Sequence, residues 1–435
     1  MTKARCLSTR RQLLGAMVAA ALGCGSKSAR ADLQASGQPK RAAGINGIDR
    51  SILWNGRAGG TTWFHPRTCM IPSAAGGVAF MTLQSITGSD VFGHVHWSMS
   101  KDQGRSWTTP EKIVALGRHP ARNELAEGVC DVVPEYHART DTVLAIGHNV
   151  YYDKTGRLAR PQLERYPVYV VRTRDGEFSR AAKVRWDDPR GTAIYTCGCA
   201  QRVTLANGRI LIPLSFAPKG QTARSVGSVL CSYDGRTLKI EQCSNELSSG
   251  VKRGLLEPTL AEFQSKVYMT IRAEDGRGYV TSSNDGLSWQ AQRPWCWDDG
   301  EPLTMSTTQQ RWLPHSDALY LVYTRKAKEN INVFRWRAPL YLARVDTGRL
   351  CLIRSTERVV LPLIGDGVGD ARHVARMGNF HTVAAGAAES WVTVGECLPY
   401  DGWRGNVLLA RIHWSRPNRI SPVLSADRRR LAQGE

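Results

Sequence analysis

The chain has 435 residues, 42% of them hydrophobic, which is ample for a large buried core and too apolar for a disordered chain. Its formal net charge of +20 is spread along the sequence rather than blocked. No zinc-finger spacing or long basic helix accompanies that charge, so nucleic acid is not expected as a partner; an anionic membrane, an acidic polysaccharide, or a simple compositional bias toward arginine remains.

Residues 1–31 read as a targeting segment. Arg10-Arg11 stands just before the apolar run Leu13 to Leu22, which is too short to span a bilayer as a mature helix. The arrangement resembles a twin-arginine export signal. Ala29-Arg30-Ala31 fits cleavage before Asp32; alternatively Ala21-Leu22-Gly23-Cys24 resembles a bacterial lipoprotein box with a lipid anchor at Cys24, although alanine replaces the usual leucine. Either end places the mature chain in the periplasm or outside the cell, with no later transmembrane segment. Residues 32–50 read as a polar linker, 51–420 as the folded unit and 421–435 as a basic tail. Nine cysteines remain beyond Cys6 and Cys24. An odd number cannot all pair within the chain, Cys197-Gly198-Cys199 is too tight for an ordinary disulfide, and most read as buried small hydrophobes.

From Ser51 onward, short apolar or alternating runs recur between Gly, Asp, Asn and Pro turns. Gly77–Leu83, Thr142–Ile146, Tyr166–Val171, Arg209–Pro213, Lys266–Ile271, Leu319–Thr324 and Glu389–Val394 all read as strands. Few stretches hold a helical period, so the chain is all-β. A repeat narrows the choice. Ser100-Lys-Asp102-Gln-Gly104-Arg-Ser-Trp107 returns as Ser282-Ser-Asn284-Asp-Gly286-Leu-Ser-Trp289, with asparagine at the aspartate position. Worn copies lie at Asp175-Gly176 and Asp234-Gly235, and the glycine gaps of 72, 59 and 51 residues suit one four-stranded blade each. The acid accepts backbone N–H groups in a tight turn, glycine supplies positive φ, and the aromatic ring packs between sheets. Asp102 and Asn284 are therefore structural.

This motif resembles the Asp-box of the sialidase superfamily, which implies a six-bladed β-propeller of four-stranded antiparallel blades. The resemblance also implies a site. Phe64-His-Pro-Arg67-Thr-Cys-Met-Ile-Pro72 is similar to the family's early arginine strand, and Asp90, in the turn after Gly88, corresponds to its acid/base. Leu256-Glu257-Pro258 followed by an apolar strand ending in Arg272 matches the family's base and one clamping arginine. Phe334-Arg335-Trp336-Arg337 reads as a strand with both arginines on one side; Arg337 is preferred as the third fork and Arg325 is its rival. Arg67, Arg272 and Arg337 would then hold a substrate carboxylate, a task suited to planar forks that cannot lose their charge.

The family's nucleophilic tyrosine has no counterpart near Asn379-Phe380-His381. Tyr323, Tyr341 and Tyr400 are substitutes only if the fold brings one to the centre, and His381 is a candidate base or ligand. Met305 to Trp312 suits either sugar contacts or an inter-blade seam. His94 and His96 are half a metal site at best. The expectation is an exported exo-glycosidase for a sialic-acid-like acidic sugar, monomeric and without metal or organic cofactor. The alternatives are a uronic acid lyase and a non-catalytic glycan-binding propeller.

Overall fold

The computed structural model describes residues 44–73 and 76–420. The export-type segment and the basic tail lie outside them. Each apolar run becomes an antiparallel strand, and six sheets follow one another along the chain. Blade 1 is Trp63–Ser73, Gly76–Gly88, Val91–Ser100 and Glu111–Lys112. Blade 2 is built on Ala126–His137, Thr142–Tyr152, Pro167–Arg172 and Ala182–Lys183, with His119–Pro120 added at its edge. Blade 3 has a first strand in two pieces, Ile194–Thr196 and Val203–Thr204, then Ile210–Ala217, Ser225–Tyr233 and Leu238–Cys243. Blade 4 is Leu256–Phe263, Lys266–Arg272, Gly278–Ser283 and Arg293–Pro294. Blade 5 is Arg311–His315, Ala318–Tyr323 and Leu340–Asp346, with Cys351–Leu352 and Arg358–Leu361 both paired to the third strand.

Blade 6 takes Phe380–Ala384, Glu389–Gly395 and Val407–Trp414 from the end of the chain and its outer strand, Ile45–Trp54, from the beginning. The result is a six-bladed propeller whose ring is closed by pairs such as Asp49 with Arg411 and Ile52 with Leu408. That strand extends into the segment read as linker: its exposed, polar residues disguise it, because an outermost strand buries little.

The core lies between blades. Leu211 and Val226 of blade 3 meet Leu260, Met269, Ile271 and Trp289 of blade 4. Tyr268 and Val280 of blade 4 likewise meet Trp312, Leu321 and Tyr323 of blade 5. Inner strands covered on both faces are buried throughout, as in Ala318–Tyr323, which is why they read as continuous apolar runs.

The repeated turns join third to fourth strands. Asp102 accepts from the backbone N–H groups of Arg105 and Ser106 and from Ser100 Oγ. In blade 4 the acid doing this is Asp285, not position 284: Leu287 and Ser288 donate to its Oδ1 at 2.8 and 2.7 Å, and Ser283 Oγ at 2.7 Å. The serine-to-acid spacing is kept and the loop is one residue shorter, so alignment on glycine and tryptophan misplaces the acid. Asp346 is a further member in blade 5, accepting from Gly348 and Arg349. Gly286 has φ 73°, and a Cβ there would lie 2.3 Å from Leu211 of blade 3, so the turn is wedged against the neighbouring sheet. All nine cysteines of the described residues are free, and seven are buried.

Candidate functional site

The first strands of the blades contact one another around the axis. All six blades contribute to a cavity of about 640 Å³ where these strands begin. Its walls are aimed by repeated breaks in the β-ladder. Register shifts fall between Phe64 and Arg67, Cys130 and Val133, and Leu256 and Thr259. In the gaps stand His65, Asp131 and Glu257 with φ of 53°, 57° and 45°. Cys199, between the two pieces of blade 3's first strand, has φ 62°. A bulge with a left-handed residue turns a side chain out of the sheet, at a cost on the order of 1–3 kcal/mol each, and here each turned side chain lines the cavity.

Glu257 and Arg272 meet because Leu256 pairs with Arg272 across one hairpin. Arg272 Nη1 donates to Glu257 Oε1 at 2.5 Å, and its Nε to Thr307 Oγ1 at 3.2 Å. Burial alone would raise the Glu257 pKa, but Arg272 outweighs it, with Arg337 adding to the effect, and the carboxylate is held below its usual range. Arg337 is pulled down to about 10 by burial and by repulsion from Arg272 and Arg335, and its Nε has no hydrogen-bond partner. Its seat depends on Gly378, where a Cβ would come within 2.5 Å of Arg337 Cδ. Phe334–Trp336 is a 3-10 turn, not the expected strand, with Arg335 at φ 52°. The turn still presents both arginines to the cavity. Asp90 occupies the expected turn with φ 58° and also lines it.

Two expected site residues lie elsewhere. Arg67 is fully buried and absent from the lining; its Nη2 donates to Asp131 Oδ1, so it supports the wall rather than facing a ligand. His381 is buried at the opposite opening of the axis, among Thr68, Glu135, Arg202 and His315. Burial, then Arg311 and Arg67, hold its pKa well below normal. The remaining rivals are accounted for by other partners. Arg325 forks onto Glu357 at 2.8 and 2.6 Å. Tyr323 donates to Glu357 and Tyr341 to Glu329, both at 2.6 Å, and Tyr400 is exposed. No tyrosine lines the cavity among the described residues. The polar run to Trp312 is an inter-blade seam: Thr308 and Gln309 donate to the carbonyls of Gly378 and Phe380 at 2.9 and 3.0 Å. His96 Nδ1 contacts the carbonyl of His94 at 2.9 Å, and neither imidazole belongs to a metal-type cluster among the described residues.

Asp131 and His65 are the functional candidates the sequence did not yield. Burial would raise the Asp131 pKa, but His65 and Arg67 more than offset it. His65 Nε2 lies 3.4 Å from Asp131 Oδ1, and burial lowers its pKa to about 4 despite Asp131. Beside them, Cys130 Sγ is 3.4 Å from His148 Nε2. Cys130, Asp131 and His148 place ligand-type atoms within 4.8 Å of one another. Arg67 on the same carboxylate, and the repulsion Arg165 exerts on a charged His148, oppose a cation there. A signal did exist for Asp131: one acid interrupts the apolar run Val129-Cys-Asp-Val-Val133. His65-Pro66, likewise, parallels Glu257-Pro258.

No family model and no curated protein matches the chain. Solved structures do. A Dyadobacter fermentans protein of unknown function aligns with TM-score 0.58 at 15% identity, over 85% of this chain and 100% of that one. A Hadza microbial sialidase aligns with TM-score 0.55 at 12% identity, over 84% and 68%. Trypanosoma rangeli sialidase aligns with TM-score 0.55 at 14% identity, over 89% of this chain and 62% of that one. At such identities the likeness is one of fold.

Proposed function

We propose that the protein is an exported glycoside hydrolase that removes a terminal acidic sugar of the sialic acid type. The observation that carries this reading is the Glu257–Arg272 pair beside Arg337 in the axial cavity. Arg272, Arg337 and Arg335 grip the sugar carboxylate with planar forks, while Arg67 holds Asp131 in place behind them. Glu257, kept ionised, takes a proton from water as the water oxygen attacks the anomeric carbon. Asp90 gives its proton to the departing glycosidic oxygen. Without a tyrosine to form a glycosyl intermediate, one displacement inverts the anomeric centre. The resemblance to sialidases and the amino-terminal arginine pair support the substrate class and the export.

A uronic acid lyase is the second reading, and it draws on His65. That imidazole lines the cavity, stays neutral, and its Nδ1 has no hydrogen-bond partner. Its unpartnered Nδ1 offers the free lone pair that removal of a C5 proton needs. The two reactions differ in product. Proton NMR of a sialoside digest should show the inverted anomer first, with Glu257→Gln reducing turnover by at least ~10². Release of an unsaturated, ultraviolet-absorbing product from uronic acid polymers would instead favour the lyase. No turnover of either class would leave only the binding module.

A further inference from the structure

Eight arginines line the cavity against four carboxylates. Two of the eight are answered directly, Arg253 by Glu274 and Arg272 by Glu257. One sugar carboxylate occupies the forks on the side of blades 4 and 5. It leaves Arg165 and Arg224, on the side of blades 2 and 3, without a direct counter-charge: neither forms an ion pair with any described carboxylate, and Asp131 and Asp90 act on Arg165, and Glu257 on Arg224, only from beyond contact distance.

Both are held in place by their backbones. Arg165 bridges to Ile194 of blade 3, and its Nε donates to the carbonyl of Asn149 at 2.6 Å, which fixes the fork and leaves its outer nitrogens for a ligand. Arg224 bridges to Gly254, where a Cβ would lie 2.2 Å from the Arg224 carbonyl, so the glycine lets the two chains close up. Burial, with repulsion from Arg165 and Arg253, lowers the Arg224 guanidinium to about 10. Like charges half-buried on one wall oppose folding unless an anion answers them. Arranged as forks, they match the oxygens of a sulfate or carboxylate.

We propose that Arg165 and Arg224 form a second oxyanion subsite, so that the glycan taken by this cavity carries at least two anionic groups, one held by Arg272 and Arg337 and one by this pair. The proposal rests on the cavity being the glycan site, and it is tested without turnover. Inorganic sulfate is titrated calorimetrically into the full chain and into Arg165→Gln, Arg224→Gln and Arg337→Gln. The wild type should bind two sulfates. Either blade 2–3 variant should weaken one site at least tenfold and spare the other, and Arg337→Gln should do the reverse. Arg224→Lys, which keeps the charge and loses the fork, should weaken the same site at an unchanged melting temperature. A single sulfate per chain, wild-type binding in Arg165→Gln and Arg224→Gln, or joint loss of both sites in either variant overturns the proposal. Two sulfates on a protein that cleaves no sialoside would uphold the subsite and reject the hydrolase. A disulfated sugar and a sugar with two carboxylates, compared afterwards, distinguish the second group.

Discussion

Asp131→Asn isolates the strut behind the cavity wall. Arg67 is fully buried, two of its nitrogens have no partner, and the third donates to Asp131. Asparagine keeps the shape and a neutral acceptor and tolerates the φ of 57°, so the change removes charge and little else. Breaking a buried ion pair from one side costs 3–5 kcal/mol, and with the acceptor retained the lower figure of about 3 kcal/mol applies. At about 2.1 cal/mol/K per residue, the 375 described residues unfold with an entropy of ~0.8 kcal/mol/K. The melting temperature should therefore fall by roughly 4 °C in differential scanning calorimetry. Arg67→Met removes the stranded cation, so the double variant should recover most of the loss, with a coupling energy of ~2 kcal/mol. If Asp131→Asn melts within one degree of wild type, or the double variant loses the sum of its singles, Arg67 does not depend on Asp131.

Acid should expose the neutral imidazoles. The folded-state pKa of His65 is about 4, below its unfolded value of 6.5. Between those values the unfolded chain binds the extra proton, so stability falls as pH falls, by up to ~3 kcal/mol for this group at pH 4. Urea unfolding at pH 7, 5.5 and 4.5 should show that slope, and His65→Asn should lessen it by about the one proton this group takes up, with His148 and His381 keeping the remainder; an unchanged slope would locate the proton uptake elsewhere. Asp285→Ala should lower the melting temperature without affecting ligand binding, whereas Asn284→Ala should change neither. Equal effects of the two would restore the motif to its sequence alignment.

What the sequence disclosed depended on distance along the chain. Glu257 and Arg272 were legible because one hairpin joins them and antiparallel register does the rest. Arg67 and Asp131 lie 64 residues apart on different blades, so nothing local announced that the arginine already had an acid. His381 was misplaced for a related reason. Axial strands run from one opening toward the other at ~3.3 Å per residue, so Asn379 lines the cavity while His381, about 7 Å further on, already faces the opposite one. Arg335 and Arg337 alternate in sequence as a strand would, and the left-handed Arg335 and Trp336 and the turn they make set them otherwise.

The pairing of Ile45–Trp54 with Val407–Trp414 has a consequence for synthesis. The sheet they share cannot be assembled until its carboxy-terminal strands have left the ribosome. Up to that moment the nascent polypeptide holds one early strand in reserve, and an open circle presents bare edges that other chains could join. Maturation thus ends in a single latch, and a shortened product lacking residues 407–414 should accumulate as aggregates rather than as a smaller ring.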